Sequence, residues 1–144
     1  IKNVAPRRIT FGFTTLGRLL ASKNIFELYG IAPTEEIVGQ GLKRAGIKTA
    51  AQYYVKHGNQ KYFLDFAIFC KRGMIAIESD NTKAHAGGRQ RQKDKAKDKF
   101  LRQHGWPVIR LKEPEIISTP KTCIAKVKRA VRNLGGQDPR LKAD

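Results

Sequence analysis

One stretch constrains this chain more than any other, the segment 61–80, Lys-Tyr-Phe-Leu-Asp-Phe-Ala-Ile-Phe-Cys-Lys-Arg-Gly-Met-Ile-Ala-Ile-Glu-Ser-Asp. An apolar run over 62–70, a Lys-Arg-Gly turn and a second apolar run over 74–77 predict a β-hairpin. Asp65 interrupts the first run, and Glu78 and Asp80 close the second, where the two-residue period of a strand puts both on one face. From 37 to 77 the chain carries Lys43, Arg44, Lys48, Lys56, Lys61, Lys71 and Arg72, and Asp65 is its sole acid. Asp65 could lie on a wet strand face. Its neighbours Phe63, Leu64, Phe66 and Ala67 leave little polar face, however, and a buried carboxylate costs several kcal/mol unless a cation meets it. A divalent metal ion is the favoured counter-charge.

The order of these residues resembles the core of the PD-(D/E)XK nucleases. Leu64-Asp65-Phe66 and then Ile77-Glu78-Ser79-Asp80, with His85 soon after, are most similar to the branch of Vsr-like repair endonucleases and EDxHD homing endonucleases. The resemblance takes in Pro33-Thr34-Glu35, Leu42, Gly46, Gln52, Asp94, Lys97, Leu101 and the segment Gly105-Trp106-Pro107-Val108-Ile109-Arg110-Leu111. The lysine of the signature is absent, because Asp80 stands in its place.

The resemblance implies a metal-dependent DNA endonuclease on a PD-(D/E)XK-like α/β fold. Asp65 and Glu78 would be the metal ligands, and Glu35, Asp80, His85 and Asp94 would complete the catalytic set. Oxygen ligands suit Mg²⁺, with Mn²⁺ as a substitute, better than zinc. The ion would polarise the phosphate and bring a water's pKa toward neutrality. His85 would then move a proton, Asp94 would orient it, and Lys83 is the alternative source of the missing lysine.

Charge points to the same kind of partner. Lys plus Arg number 29 against 12 Asp plus Glu, a formal charge of +17, so a polyanion such as duplex DNA is expected. Cys70 and Cys123 lack metal spacing with His57, His85 or His104, which argues against a structural zinc. No apolar run reaches the length of a membrane span and no signal-peptide pattern is present, so a cytoplasmic location is expected.

Taken in order, 1–32 reads as a basic arm, with Pro6-Arg7-Arg8, and a helix, and 33–134 as the nuclease core. Pro33 and the acids Glu35 and Glu36 open a helix that Gly46 ends, with Ile37, Val38, Leu42 and Ala45 as its buried stripe. Glu35 there could serve the helix dipole or the site. Strand 51–55 and the Gly58-Asn59 turn lead into the central hairpin. The loop 81–88 carries His85, as a surface residue or as part of the site.

The segment 89–104 is a basic helix with Ala96, Phe100 and Leu101 as its docking stripe. Its charges either pair along a solvated face or grip phosphate through Arg89, Arg91, Lys95 and Lys97. A fourth strand at 107–111 joins the sheet by crossover, and a last helix from Pro120 buries Ile124, Val127, Val131 and Leu134. The tail 135–144 reads as disordered. The expected order is α-β-β-β-α-β-α, a mixed four-stranded sheet flanked by helices. A non-catalytic DNA-binding module on the same fold and an RNA-directed nuclease are the alternatives.

Overall fold

The computed structural model describes residues 33–80 and 88–140. The expected arm and helix over 1–32, the loop residues Lys83 and His85, and 141–144 lie outside the described residues. Helix α1 (Pro33–Arg44) begins at its proline with Glu35 and Glu36 in the first turn and ends with Lys43 and Arg44, so charge at both ends suits the helix dipole. Gly46, at φ 76°, turns the chain out of the helix, its N–H bonding the Lys43 carbonyl while that of Ile47 reaches Leu42. Strands β1 (Ala50–His57), β2 (Gln60–Cys70) and β3 (Gly73–Asp80) form an antiparallel meander. Helix α2 (Gly88–Gln103) then crosses to β4 (Val108–Lys112), which pairs parallel with β3, and the sheet order is β1-β2-β3-β4.

The two faces of the sheet bury different partners. On one face Phe66, Ile68, Ile75, Ile77 and Leu111 pack with Val38 and Leu42 of α1 and with the last two helices, α3 (Glu113–Ser118) and α4 (Pro120–Asn133). On the other, Ala67 and Ala76 are cross-strand partners, and these small side chains leave room for Phe100, Leu101 and Trp106 to lie against the sheet.

Several expectations change in the folded chain. Ile37, placed in the buried stripe of α1, is 38% exposed, because Thr34, Glu35, Val38 and Leu42 are the positions α1 turns inward. Ala96 of α2 is exposed, and the inward positions above Leu101 are Gln90, Asp94, Lys97 and Asp98, a polar stripe at helical spacing. The short helix α3 was not expected; Pro114 starts it directly after β4, and Ile116 anchors it in the core.

The tail expected to be disordered from 135 onward is placed as far as Arg140. Gly135 and Gly136, both at φ 85°, reverse the chain so that Gln137 bridges Cys70. The Gln137 amide exchanges two hydrogen bonds with the backbone of Lys48, and the Asp138 N–H donates to Phe69 O. Cys70 and Cys123 are free and buried, and burial pushes both thiols up.

Close approach between α1 and α4 depends on Gly41, where an added Cβ would stand 2.8 Å from Ile124 Cδ1 and 2.9 Å from its Cγ1. Gly41→Val should therefore destabilise the fold by about 2 kcal/mol despite removing a helical glycine. Urea unfolding of the two proteins checks this, and an unchanged midpoint would show that α4 yields without cost.

Candidate active site

The β2–β3 ladder runs from Cys70↔Gly73 to Phe66↔Ile77 and stops there. Asp65 and Glu78 occupy the next step, and their carboxylates take over the backbone hydrogen bonding. The Asp65 N–H donates to Glu78 Oε2 at 2.9 Å, and the Ser79 N–H donates to Asp65 Oδ2 at 2.7 Å. Each acid thus ties down the strand that carries the other, through charge-assisted bonds stronger than those of a neutral ladder.

β1 is irregular at the same level. The β1–β2 register passes from Ala51↔Phe66 to Tyr53↔Leu64 and omits Gln52, which stands at φ 51°. Positive φ is uncommon for a side chain of this kind and costs on the order of 1 kcal/mol or more. Gln52 recovers a hydrogen bond: its Nε2 donates to Glu35 Oε1 at 2.9 Å, and Glu35 is only 7% exposed. Alternation slips at this step in both strands, since Ala50 and Tyr53, like Ala67 and Leu64, belong to the same face.

Helix α2 and strand β4 supply the charged side chains that complete the cluster. Lys97 Nζ forms a very short contact with Glu78 Oε1 and also donates to Phe63 O at 2.9 Å. Arg110, the β4 neighbour of Glu78, makes a bidentate pair with Asp98 at 3.0 and 2.8 Å and stands 4.0 Å from Asp94. Asp94 also accepts from Gln90 Nε2 at 3.1 Å. Asp80 lies half-buried at the last β3–β4 pair, opposite Lys112.

Burial, and then the charge of Asp65, push the Glu78 carboxyl above the usual glutamate range, while Lys97 pulls in the other direction. Burial alone would lower Arg110, but its bonds to Asp98, with the charges of Asp98, Asp94 and Glu78, raise it and keep it protonated.

Of the residues singled out in the sequence, the fold brings Asp65, Glu78 and Lys97 together, with Asp94 one step away through Arg110. Glu35 joins through Gln52. Arg89, Arg91 and Lys95 are exposed on α2, whereas Lys97, grouped with them as a phosphate contact, is turned toward Glu78. The sequence reading missed Asp98 and the role of Arg110. Extending the Leu101 stripe back by whole helical turns lands on Asp98, Lys97 and Asp94, which was the available signal.

Among the described residues no group of three or more His, Cys, Asp or Glu is arranged to hold a metal ion. The Asp65–Glu78 pair still fits Mg²⁺, which proteins commonly hold through one or two carboxylates, with water and substrate phosphate completing the shell. Burial and then repulsion from Asp65 raise Glu78, and both are penalties on its charge that an added cation offsets.

A mixed sheet flanked by helices, with two acids at the open end of its central hairpin, is compatible with the fold of restriction-endonuclease-like proteins. Residues 35–131 match the model of the family REase_MTES_1575, a restriction-endonuclease-like family. That span is more than half of the chain, and the protein belongs to this family, whose name denotes a nuclease. No curated protein and no solved structure gives a match. Among the described residues no helix is long and apolar enough to cross a membrane.

The Glu78 environment gives a pH signature. A glutamate raised in the folded state contributes stability that is fully present below its unfolded value of about 4.3 and is lost as pH rises through the folded value. Glu78→Gln should remove this declining limb from a plot of unfolding free energy against pH. Lys97→Met should move the Glu78 titration further upward, because it deletes the attraction opposing burial. Carboxyl ¹³C titration reads the second effect directly, and an unmoved Glu78 would mean that Lys97 does not act on it.

Proposed function

We propose that this protein is a metal-dependent endonuclease that hydrolyses phosphodiester bonds in duplex DNA, on the PD-(D/E)XK plan and with the Vsr-like or EDxHD branch as its nearest pattern. The observation that carries the reading is the reciprocal Asp65–Glu78 pair with Lys97 closed onto it, in a chain of formal charge +17. Asp65 and Glu78 would hold Mg²⁺ or Mn²⁺. When bound, the ion supplies positive charge that polarises the phosphate and acidifies the attacking water.

The other roles fall to the chain's own residues. Lys97 reaches Glu78 from α2 and takes up the part of the signature lysine, whose place in β3 Asp80 occupies. Its ammonium is a second positive charge available to a phosphoryl oxygen. Arg110, clamped by Asp98 and facing Asp94, fixes α2 against β4 and so fixes where Lys97 stands. Glu35, held by the strained Gln52, is a further acid behind the pair. Asp80 and Asp94 remain in the proposed set, and His85 is the proposed proton carrier. The exposed Arg89, Arg91 and Lys95 would meet the DNA backbone without reading bases.

Supercoiled plasmid incubated with Mg²⁺, Mn²⁺ or EDTA tests the activity. Nicking or cutting should need the divalent ion and vanish in Asp65→Ala and Glu78→Ala while DNA binding persists. Mg²⁺ should also raise the melting temperature of the wild type but not of Asp65→Ala, a readout independent of turnover. Equal cleavage by wild type and both variants would sink the site. Binding without cleavage by the wild type under all three conditions would favour a DNA-binding module.

Lys97→Met should lower the single-turnover rate by on the order of a hundredfold, the usual loss when one stabilising charge is removed. Lys97→Arg should recover part of it. A full rate in Lys97→Met would leave the lysine a structural partner of Glu78 and pass the role back to Lys83 or His85.

A further inference from the structure

Beyond the step at Gln52 and Asp65, the β1–β2 hairpin projects as an arm with two unlike faces. Tyr53, Val55, Tyr62 and Leu64 belong to the cluster that includes Phe100 and Trp106. Alternation puts Tyr54, Lys56, Lys61 and Phe63 on the opposite face. There Tyr54 and Phe63 are cross-strand partners with ring centroids 5.1 Å apart, and they are 45% and 42% exposed. Two pairs further out, and so on the same face, Lys56 stands opposite Lys61, and both are exposed.

Neither feature favours folding. Large aromatic side chains left this open forgo the gain from burial, and like charges facing each other across a ladder are destabilising. Among the described residues neither lysine has an ion pair, and no Asp or Glu lies between Ala50 and Leu64. The face therefore suits an occupant that offers both a flat π surface and negative charge. A nucleotide has both, whereas a protein surface that neutralised the lysines would supply the charge without the stacking partner.

We infer that this arm is a stacking platform for an unpaired stretch of a DNA strand, with Tyr54 and Phe63 receiving a base and Lys56 and Lys61 its phosphate. Two residues along a strand separate the pairs by about 7 Å, a reach comparable to that from a base to the phosphate of its own nucleotide. In an intact duplex the base faces are already stacked on each other, so the platform selects single-stranded segments. It is joined to the candidate active site, because the carbonyl of Phe63 accepts the Lys97 ammonium that contacts Glu78. The inference rests on the nuclease reading and narrows it to DNA with a single-stranded segment beside the bond that is cut.

The test is fluorescence anisotropy of the full chain in EDTA, so that binding is read without cleavage, on a labelled DNA oligonucleotide as single strand and as annealed duplex. Tyr54→Ala/Phe63→Ala should weaken single-strand binding about tenfold or more and duplex binding much less, with an unchanged melting temperature. Tyr54→Phe/Phe63→Tyr should bind as the wild type does.

Lys56→Gln/Lys61→Gln keeps the aromatic pair and serves as a second probe if the alanine variant folds poorly. It should reduce the slope of log affinity against log salt on the single strand by about 0.7, the value for the one phosphate that the two lysines receive. Unchanged single-strand affinity, or equal loss on both forms of DNA, overturns the platform. So does a fall in melting temperature accompanied by an unchanged salt slope in the lysine variant, which would assign the face to internal packing. If the wild type cuts plasmid while the platform variants bind single strand normally, the platform alone fails. If the wild type neither binds nor cuts DNA, the nuclease reading fails with it.

Discussion

The exchange between Asp65 and Glu78 decides how the middle of this protein is built. A β-ladder that continued past Phe66 and Ile77 would satisfy the backbone with neutral bonds and leave the two acids to find their own partners. Here the carboxylates themselves accept the N–H groups of Asp65 and Ser79, so opening of the hairpin and fixing of the acids are one event. The cost is electrostatic. Glu78 is buried and stands beside a second carboxylate, and burial first, then repulsion from Asp65, push it upward. Lys97 offsets that cost from another element, which is why α2 lies on the sheet with charged residues facing inward above its small apolar end.

The rest of the architecture serves this arrangement from two sides. Ala67 and Ala76 are small enough for Phe100, Leu101 and Trp106 to seat the lower half of α2, which aims the upper half at Glu78. Arg110 then clamps the helix through Asp98. On the opposite face Val38 and Leu42 hold α1 in the main core and bring Glu35 within reach of Gln52. The left-handed backbone of Gln52 is strain of the kind that survives where surrounding structure over-determines a conformation, and it sits level with the two acids. That slip also turns the distal hairpin so that one face packs on α2 and the other is left to solvent.

Much of the frame was legible along the chain because its signals are local. Pro33 and Gly46 bracket α1, Gly58-Asn59 and the Lys-Arg-Gly turn mark the hairpins, and Pro120 opens α4. Asp65 and Glu78 stood out because acids inside apolar, otherwise basic sequence contradict their surroundings. Ala96 and Ile37 misled for the converse reason. Each is apolar at a plausible spacing, yet the helix phase that wins is the one satisfying more groups at once, including charges that a hydrophobic pattern leaves out.

The sequence by itself determined the order of the elements other than the short α3, the sign of the net charge and the two acids at the hairpin's open end, since turn chemistry, alternation and net charge act between near neighbours or over the whole chain. Only the tertiary structure decided that Lys97 belongs to Glu78, that Asp98 clamps Arg110, that Gln52 reaches Glu35 and that Tyr54 and Phe63 share an open face. It also decided that the chain past Gly136 returns to the sheet edge, where Gln137 bonds Lys48. Those pairings join residues far apart in sequence or set by a one-residue slip in two strands. Their partners are chosen by packing and by the need to neutralise buried charge, and neither is fixed until the elements are docked.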